Sequence, residues 1–99
     1  MSVVLYDKLA EWAHSKRQVA ALHIFGARAR GDHRSDSALE LALEFTDADD
    51  AIKQLCDHAS SWKQELSDLS GLTVAALELR SNKQVVKLPI VTVFRRHVS

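Results

Sequence analysis

The order of apolar and polar residues along the chain predicts six secondary-structure elements. Apolar residues repeat at three- and four-residue steps in two segments, which is typical of helices packed on one side. Four other segments are short apolar runs or strict alternations, which are typical of strands. In chain order, the pattern predicts a helix over 4–14, strands over 19–25 and 39–45, a helix capped at Thr46 or Asp47 that stops at Gly71, and strands over 72–79 and 85–95.

This order of elements is typical of the α+β class. We expect one domain over 1–99, built as a small mixed sheet of about four strands with two main helices packed on one face. Pro89 lies inside the last predicted strand. Because proline cannot donate a hydrogen bond to a neighbouring strand, that strand is expected at an edge of the sheet. An exposed edge over 85–94 is a pairing surface for a protein partner or for a second copy of the chain.

The apolar stripe of the second helix predicts which of its side chains face the core. Its members are Ile52, Leu55, Cys56, Ala59, Trp62, Leu66 and Leu69. We therefore expect Cys56 to be a buried packing residue and not a nucleophile. Trp12 on the first helix and Trp62 on the second are expected in the core.

The composition excludes several classes of protein. With 46% apolar and 26% charged residues, the chain of 99 residues is typical of a globular domain. The single cysteine excludes an internal disulfide, and no apolar run is long enough to cross a bilayer. Asp7 lies where a signal peptide would have basic residues followed by an apolar core, so we expect a cytoplasmic protein without membrane contact.

Charge is unevenly distributed although the formal net charge is zero. Residues 1–34 carry six basic and three acidic residues, 35–70 carry two and nine, and 71–99 carry five and one. A basic–acidic–basic order disfavours a broad nucleic-acid-binding face of one sign. Nucleic acid is therefore not an expected partner.

The most informative segment spans 24–45 and reads IFGARARGDHRSDSALELALEF. It resembles the signature of the minimal nucleotidyltransferases of the DNA polymerase β superfamily. That signature is a strand ending in Phe-Gly-Ser, then Arg-Ala-Arg-Gly, and later Ser-Asp-hydrophobic-Asp at the start of the next strand. The frame of glycines, arginines and apolar residues is kept here without insertions or deletions.

The resemblance implies where a nucleotide and its metals would bind. The glycine-containing turn after the first strand would present N–H groups to the nucleotide phosphates, with basic side chains nearby. This assigns phosphate contacts to Gly26, Ala27, Arg28 and Arg30. In the family, two aspartates on one strand face and a third acid on a neighbouring strand hold two divalent cations, which would here be Mg²⁺ with ATP as the substrate.

The chain departs from this signature at its metal ligands and its serine. Ala27 replaces the serine, Ala38 replaces the first aspartate, and Glu40 replaces the second with a longer side chain. The third acid falls within 74–78, where Ala75 or Ala76 is nearest to the family position and Glu78 has the only carboxylate.

Two acids remain as candidate catalytic residues, and a third could replace a lost ligand. Glu40 and Glu78 are the candidate catalytic carboxylates, and Glu40 with Asp36 of the preceding loop would be the metal ligands. Mg²⁺ requires near-octahedral oxygen coordination and is held poorly by one displaced carboxylate. We therefore expect a degraded site with no resident cofactor.

Three functions follow from the resemblance. The first is a binding module without catalysis, similar to the antitoxin whose partner is an all-helical HEPN-type toxin. The second is an active minimal nucleotidyltransferase that transfers a nucleotide from ATP, with Mg²⁺, to a protein partner. The third is a nucleotide sensor, since Arg28, Arg30 and Arg34 could bind phosphate without the lost acids.

Overall fold

Two helices and four strands form the part of the chain that the structure describes. The computed structural model describes residues 3–26, 29, 31, 38–79 and 90–96. Its elements are helix α1 (Val3–Ser15), strands β1 (Val19–Phe25) and β2 (Leu39–Phe45), helix α2 (Ala51–Ser70), and strands β3 (Val74–Leu79) and β4 (Val91–Arg95). The α+β class predicted from the sequence is confirmed, with one mixed four-stranded sheet and two main helices.

The sheet has the strand order β3-β2-β1-β4. β1 is antiparallel to both β2 and β4, whereas β2 and β3 are parallel. Within the described residues, β4 is therefore an edge strand, as expected from Pro89. Residues 80–89, which contain the predicted turn and the first half of the predicted last strand, lie outside the described residues.

The core lies between the two helices and one face of the sheet. Alternating residues of the central strands point to this face, including Leu22 of β1 and Leu41 of β2, which are fully buried. Trp12 and Trp62 are also buried, as predicted. Their rings meet edge to face with 5.4 Å between centroids, and this contact joins α1 to α2.

Two residues predicted on the apolar stripe of α2 are not in the core. Ile52 is 69% exposed, and Cys56 is exposed with a free thiol. The buried residues of α2 are Ala51, Trp62 and Leu66. Each helical residue turns the side-chain direction by about 100°, so Ile52 and Cys56 lie well away from the line through these three. The prediction that Cys56 is buried is therefore wrong.

The boundaries of α2 show local hydrogen bonds that the sequence pattern did not resolve. A short 3₁₀ turn, Ala48–Asp50, precedes the helix, and the Asp49 N–H donates to Asp47 Oδ1 at 3.0 Å. The helix ends at Gly71, whose φ is +73°. The Leu72 carbonyl then accepts a hydrogen bond from Ser67 Oγ at 2.8 Å. Because Leu72 belongs to this helix-ending turn, β3 begins two residues later than predicted.

Two side chains, Arg96 and Lys16, make polar contacts at the end of α1. Arg96, directly after β4, donates through Nε to the Val19 carbonyl at 3.1 Å and through Nη2 to the His14 and Lys16 carbonyls, each at 3.1 Å. A cation at this position also interacts favourably with the helix dipole. Lys16 in turn pairs with Glu65 at 3.0 Å, and this hydrogen bond is the main reason that the pKa of Glu65 lies below its usual value.

No helix in the described residues is long and apolar enough to cross a membrane.

Candidate functional site

The candidate site lies on the face of the sheet opposite the helices, which we call the polar face. Side chains alternate along each strand, and the strand registers align those that point away from the core. The polar face consists of Ala21, His23 and Phe25 of β1, Glu40, Ala42 and Glu44 of β2, Ala76 and Glu78 of β3, and Thr92 and Arg95 of β4.

Two residues of the predicted site, Gly26 and Glu40, lie in direct contact. Phe25 pairs with Glu40 across β1 and β2, and Gly26 continues from the end of β1 with a φ of +74°. A methyl group added at Gly26 would occupy the position of the Glu40 carboxylate. Glycine is therefore required at this position for two reasons, which are its backbone conformation and the close approach of the carboxylate.

The remaining predicted phosphate contacts lie outside the described residues. These are Ala27, Arg28 and Arg30, and Asp36, the proposed replacement metal ligand, is also outside them. Gly26 is thus the one member of the predicted phosphate group that the structure describes.

The strand register resolves which residue of β3 lies beside Glu40. Glu40 pairs with Ala76, and Ala38 precedes Glu40 by two residues, directly before β2. These two neighbours of Glu40 therefore have methyl groups. Sequence analysis leaves Ala75, Ala76 and Glu78 as alternatives for the third acid, and of these Ala76 is the direct neighbour of Glu40.

Glu78 is on the polar face but is not the direct neighbour of Glu40. It pairs with Ala42 and is exposed. Glu78 lies on the neighbouring strand and is displaced by two residues along it, so its Cα is about 8 Å from that of Glu40. Among the residues that the structure describes, no three His, Cys, Asp or Glu side chains are grouped to hold a metal ion.

A buried polar network occupies the other end of the polar face. His23 is completely buried, and Glu44 is 8% exposed. His23 Nε2 lies 2.6 Å from Glu44 Oε2, and His23 Nδ1 lies 2.9 Å from Thr92 Oγ1. Arg95 Nη2 donates to the same Glu44 oxygen at 3.3 Å. Sequence analysis did not predict the burial of Glu44 or its partners.

A bulge in the sheet brings Thr92 and Arg95 to the polar face together. Leu22 pairs with Phe94, but the next residue, His23, pairs with Thr92, so one residue of β4 is extra. In a regular strand, residues three apart point to opposite faces. No pattern in the sequence predicts this bulge, and without it the partners of His23 and Glu44 cannot be deduced.

A shallow groove of about 350 Å³ lies on the helix side of the sheet, between α2 and the start of β3. It is lined by Ser60, Lys63, Gln64, Ser67, Thr73 and Val74. None of these residues belongs to the polar face, so the groove is separate from the candidate site.

No protein-family model matches the chain, and no curated protein matches it in sequence. The resemblance to the minimal nucleotidyltransferases therefore depends on the residues of segment 24–45.

Proposed function

We propose that this chain is a nucleotidyltransferase-like domain that no longer catalyses transfer and acts in the cytoplasm by binding a protein partner. The observation that carries the proposal is the surroundings of Glu40. Ala38 and Ala76 flank this carboxylate at the two positions where the family resemblance expects metal-binding acids. The candidate site thus keeps one of three expected carboxylates.

The loss of two ligands has a large expected effect on the reaction. Mg²⁺ is bound through several oxygens at near-ideal octahedral geometry. Each preorganised electrostatic contact to a transition state contributes about 3–4 kcal/mol, so losing two lowers the rate by orders of magnitude. Glu78 does not restore the arrangement, because it pairs with Ala42 and not with Glu40.

The proposed mode of action is stoichiometric binding, as in an antitoxin. The partner class suggested by the resemblance is an all-helical HEPN-type toxin. β4 (Val91–Arg95), an edge strand within the described residues, offers main-chain donors and acceptors for pairing with a partner or with a second copy. Phosphate binding near Gly26, Arg28 and Arg30 would not require the lost acids, so nucleotide affinity is compatible with the proposal.

An assay of nucleotidyl transfer to a partner protein tests this proposal. The purified chain is incubated with labelled ATP, with Mg²⁺ or Mn²⁺, and with a HEPN-type protein. We expect an equimolar complex on size-exclusion chromatography and no labelled product. The variant Glu40→Ala should behave as the wild type in both readouts.

The matched control is Asp57→Ala, which removes an exposed acid from α2 on the other side of the sheet. Label on the partner that Glu40→Ala abolishes and Asp57→Ala preserves would establish an active nucleotidyltransferase and refute the proposal. Absence of both a complex and transfer would refute the HEPN-type partner.

A further inference from the structure

The buried network on the polar face links a hydroxyl, an imidazole and a carboxylate, in that order, by hydrogen bonds. Thr92, His23 and Glu44 come from three adjacent strands, β4, β1 and β2. The hydroxyl lies 2.9 Å from one imidazole nitrogen, and the carboxylate lies 2.6 Å from the other. Both distances are within hydrogen-bonding range. None of these three residues belongs to the nucleotide site implied by the sequence.

With Glu44 ionised and His23 neutral, the two hydrogen bonds are consistent with one tautomer of the imidazole. An ionised carboxylate can only accept, so His23 Nε2 carries the proton and donates it to Glu44. In that neutral tautomer, Nδ1 accepts a hydrogen bond from the Thr92 hydroxyl. Arg95 donates to the same Glu44 oxygen and so stabilises the ionised carboxylate. His23 is thus oriented as a base toward Thr92.

Solvent access differs between the base and the hydroxyl. His23 has no exposed surface, whereas Thr92 is exposed at the edge strand. Reagents in solution can therefore approach the Thr92 side chain while the imidazole remains shielded. A hydroxyl hydrogen-bonded to a base that a third group orients is the arrangement that activates nucleophiles in acyl transfer.

From this geometry we propose that Thr92 is an activated nucleophile that accepts an acyl group from an activated ester. Thr92 Oγ1 forms a bond to the acyl carbon, and the bond from that carbon to the leaving oxygen breaks. The Thr92 proton moves to His23 Nδ1, and the oxygen of the activated ester leaves as an anion into solution. Glu44 acts as a positioning residue because it holds the tautomer of His23.

The test uses p-nitrophenyl acetate as the acyl donor and the full chain carrying Cys56→Ser, which removes the exposed thiol. Release of p-nitrophenol is followed by absorbance, and acetylated residues are mapped by mass spectrometry of peptides. Thr46 is an internal control, because it is exposed and its hydroxyl bonds to a backbone carbonyl and to no base. We expect acetylation of Thr92 at least about tenfold faster than that of Thr46, within the range for general-base assistance.

Glu44→Gln separates activation from simple exposure, and two substitutions of Thr92 check that the acetylated residue is correctly assigned. Thr92→Val keeps the shape of the side chain and should abolish acetylation at this position, whereas Thr92→Ser should retain it. Glu44→Gln should slow acetylation of Thr92 at least about tenfold, because an amide can donate to His23 and reverse its tautomer. Equal acetylation of Thr92 and Thr46, or an unchanged rate in a folded Glu44→Gln, would overturn the proposal. If Glu44→Gln does not fold, the comparison of Thr92 with Thr46 decides alone.

Discussion

Replacing Glu44 with alanine should destabilise the protein by about 1–3 kcal/mol, the range for leaving a buried hydrogen-bonding group without its partner. The variant leaves the fully buried His23 without the carboxylate that accepts from its Nε2. It also removes the acceptor for Arg95. The measurement is the free energy of unfolding from urea denaturation at neutral pH, with the denaturant slope compared to detect loss of cooperativity.

Glu40→Ala is the matched control for this prediction. Glu40 lies on the same strand and the same face as Glu44 but is only partly buried, and no hydrogen bond links it to another described side chain. Its removal should cost less than about 1 kcal/mol, as expected away from buried networks. If Glu44→Ala were no more destabilising than Glu40→Ala, the network on the polar face would not contribute to stability as described.

Replacing Gly26 with alanine should destabilise the protein by about 2 kcal/mol, because two costs combine. The first is the left-handed backbone conformation at φ +74°. The second is displacement of the Glu40 carboxylate, whose position the new methyl group would occupy. Chemical denaturation of the single variants and of the double variant Gly26→Ala/Glu40→Ala measures the two costs separately.

Gly31→Ala isolates the backbone cost. Gly31 has a similar φ of +81°, but a methyl group added there would meet no atom within 4 Å. It should cost about 1 kcal/mol, the penalty for a left-handed residue with a side chain. Gly26→Ala should destabilise the protein more than Gly31→Ala does. Adding Gly26→Ala to a chain that already carries Glu40→Ala should cost about as much as Gly31→Ala. Equal effects at the two glycines would show that Glu40 does not pack against Gly26.

The fold could largely be predicted from the sequence because its signals are periodic. The alternation over 39–45 determines which residues of β2 face the core, and Leu41 is buried as expected. The error at Cys56 came from a property of helices, since an apolar residue near the edge of the stripe satisfies the spacing without facing the core. The start of β3 was misplaced because a hydrogen bond from Ser67 holds Leu72 in the helix-ending turn.

The candidate site was less predictable, because register and bulges depend on pairing between distant strands. The motif identified Gly26 and Glu40 as candidate site residues, and the structure places them in contact. The neighbour of Glu40 on β3 required the parallel register with Ala76. The partners of His23 required the bulge in β4, which no local pattern indicates.

The polar face thus has two ends of different chemistry. At one end Glu40 lies against Gly26, with Ala76 beside it. At the other end His23 and Glu44 form a buried pair that Arg95 and Thr92 complete.

The most direct test of the account is Mn²⁺ binding to the wild-type chain and to Ala38→Asp/Ala76→Asp, followed by electron paramagnetic resonance with ATP present. These substitutions restore carboxylates at the two positions that flank Glu40. We predict that Glu40→Ala does not change Mn²⁺ binding by the wild-type chain. The double variant should bind Mn²⁺ at least about tenfold more tightly than the wild type, because carboxylate oxygens are preferred ligands for this ion. Tight binding by the wild type that Glu40→Ala abolishes would contradict the account.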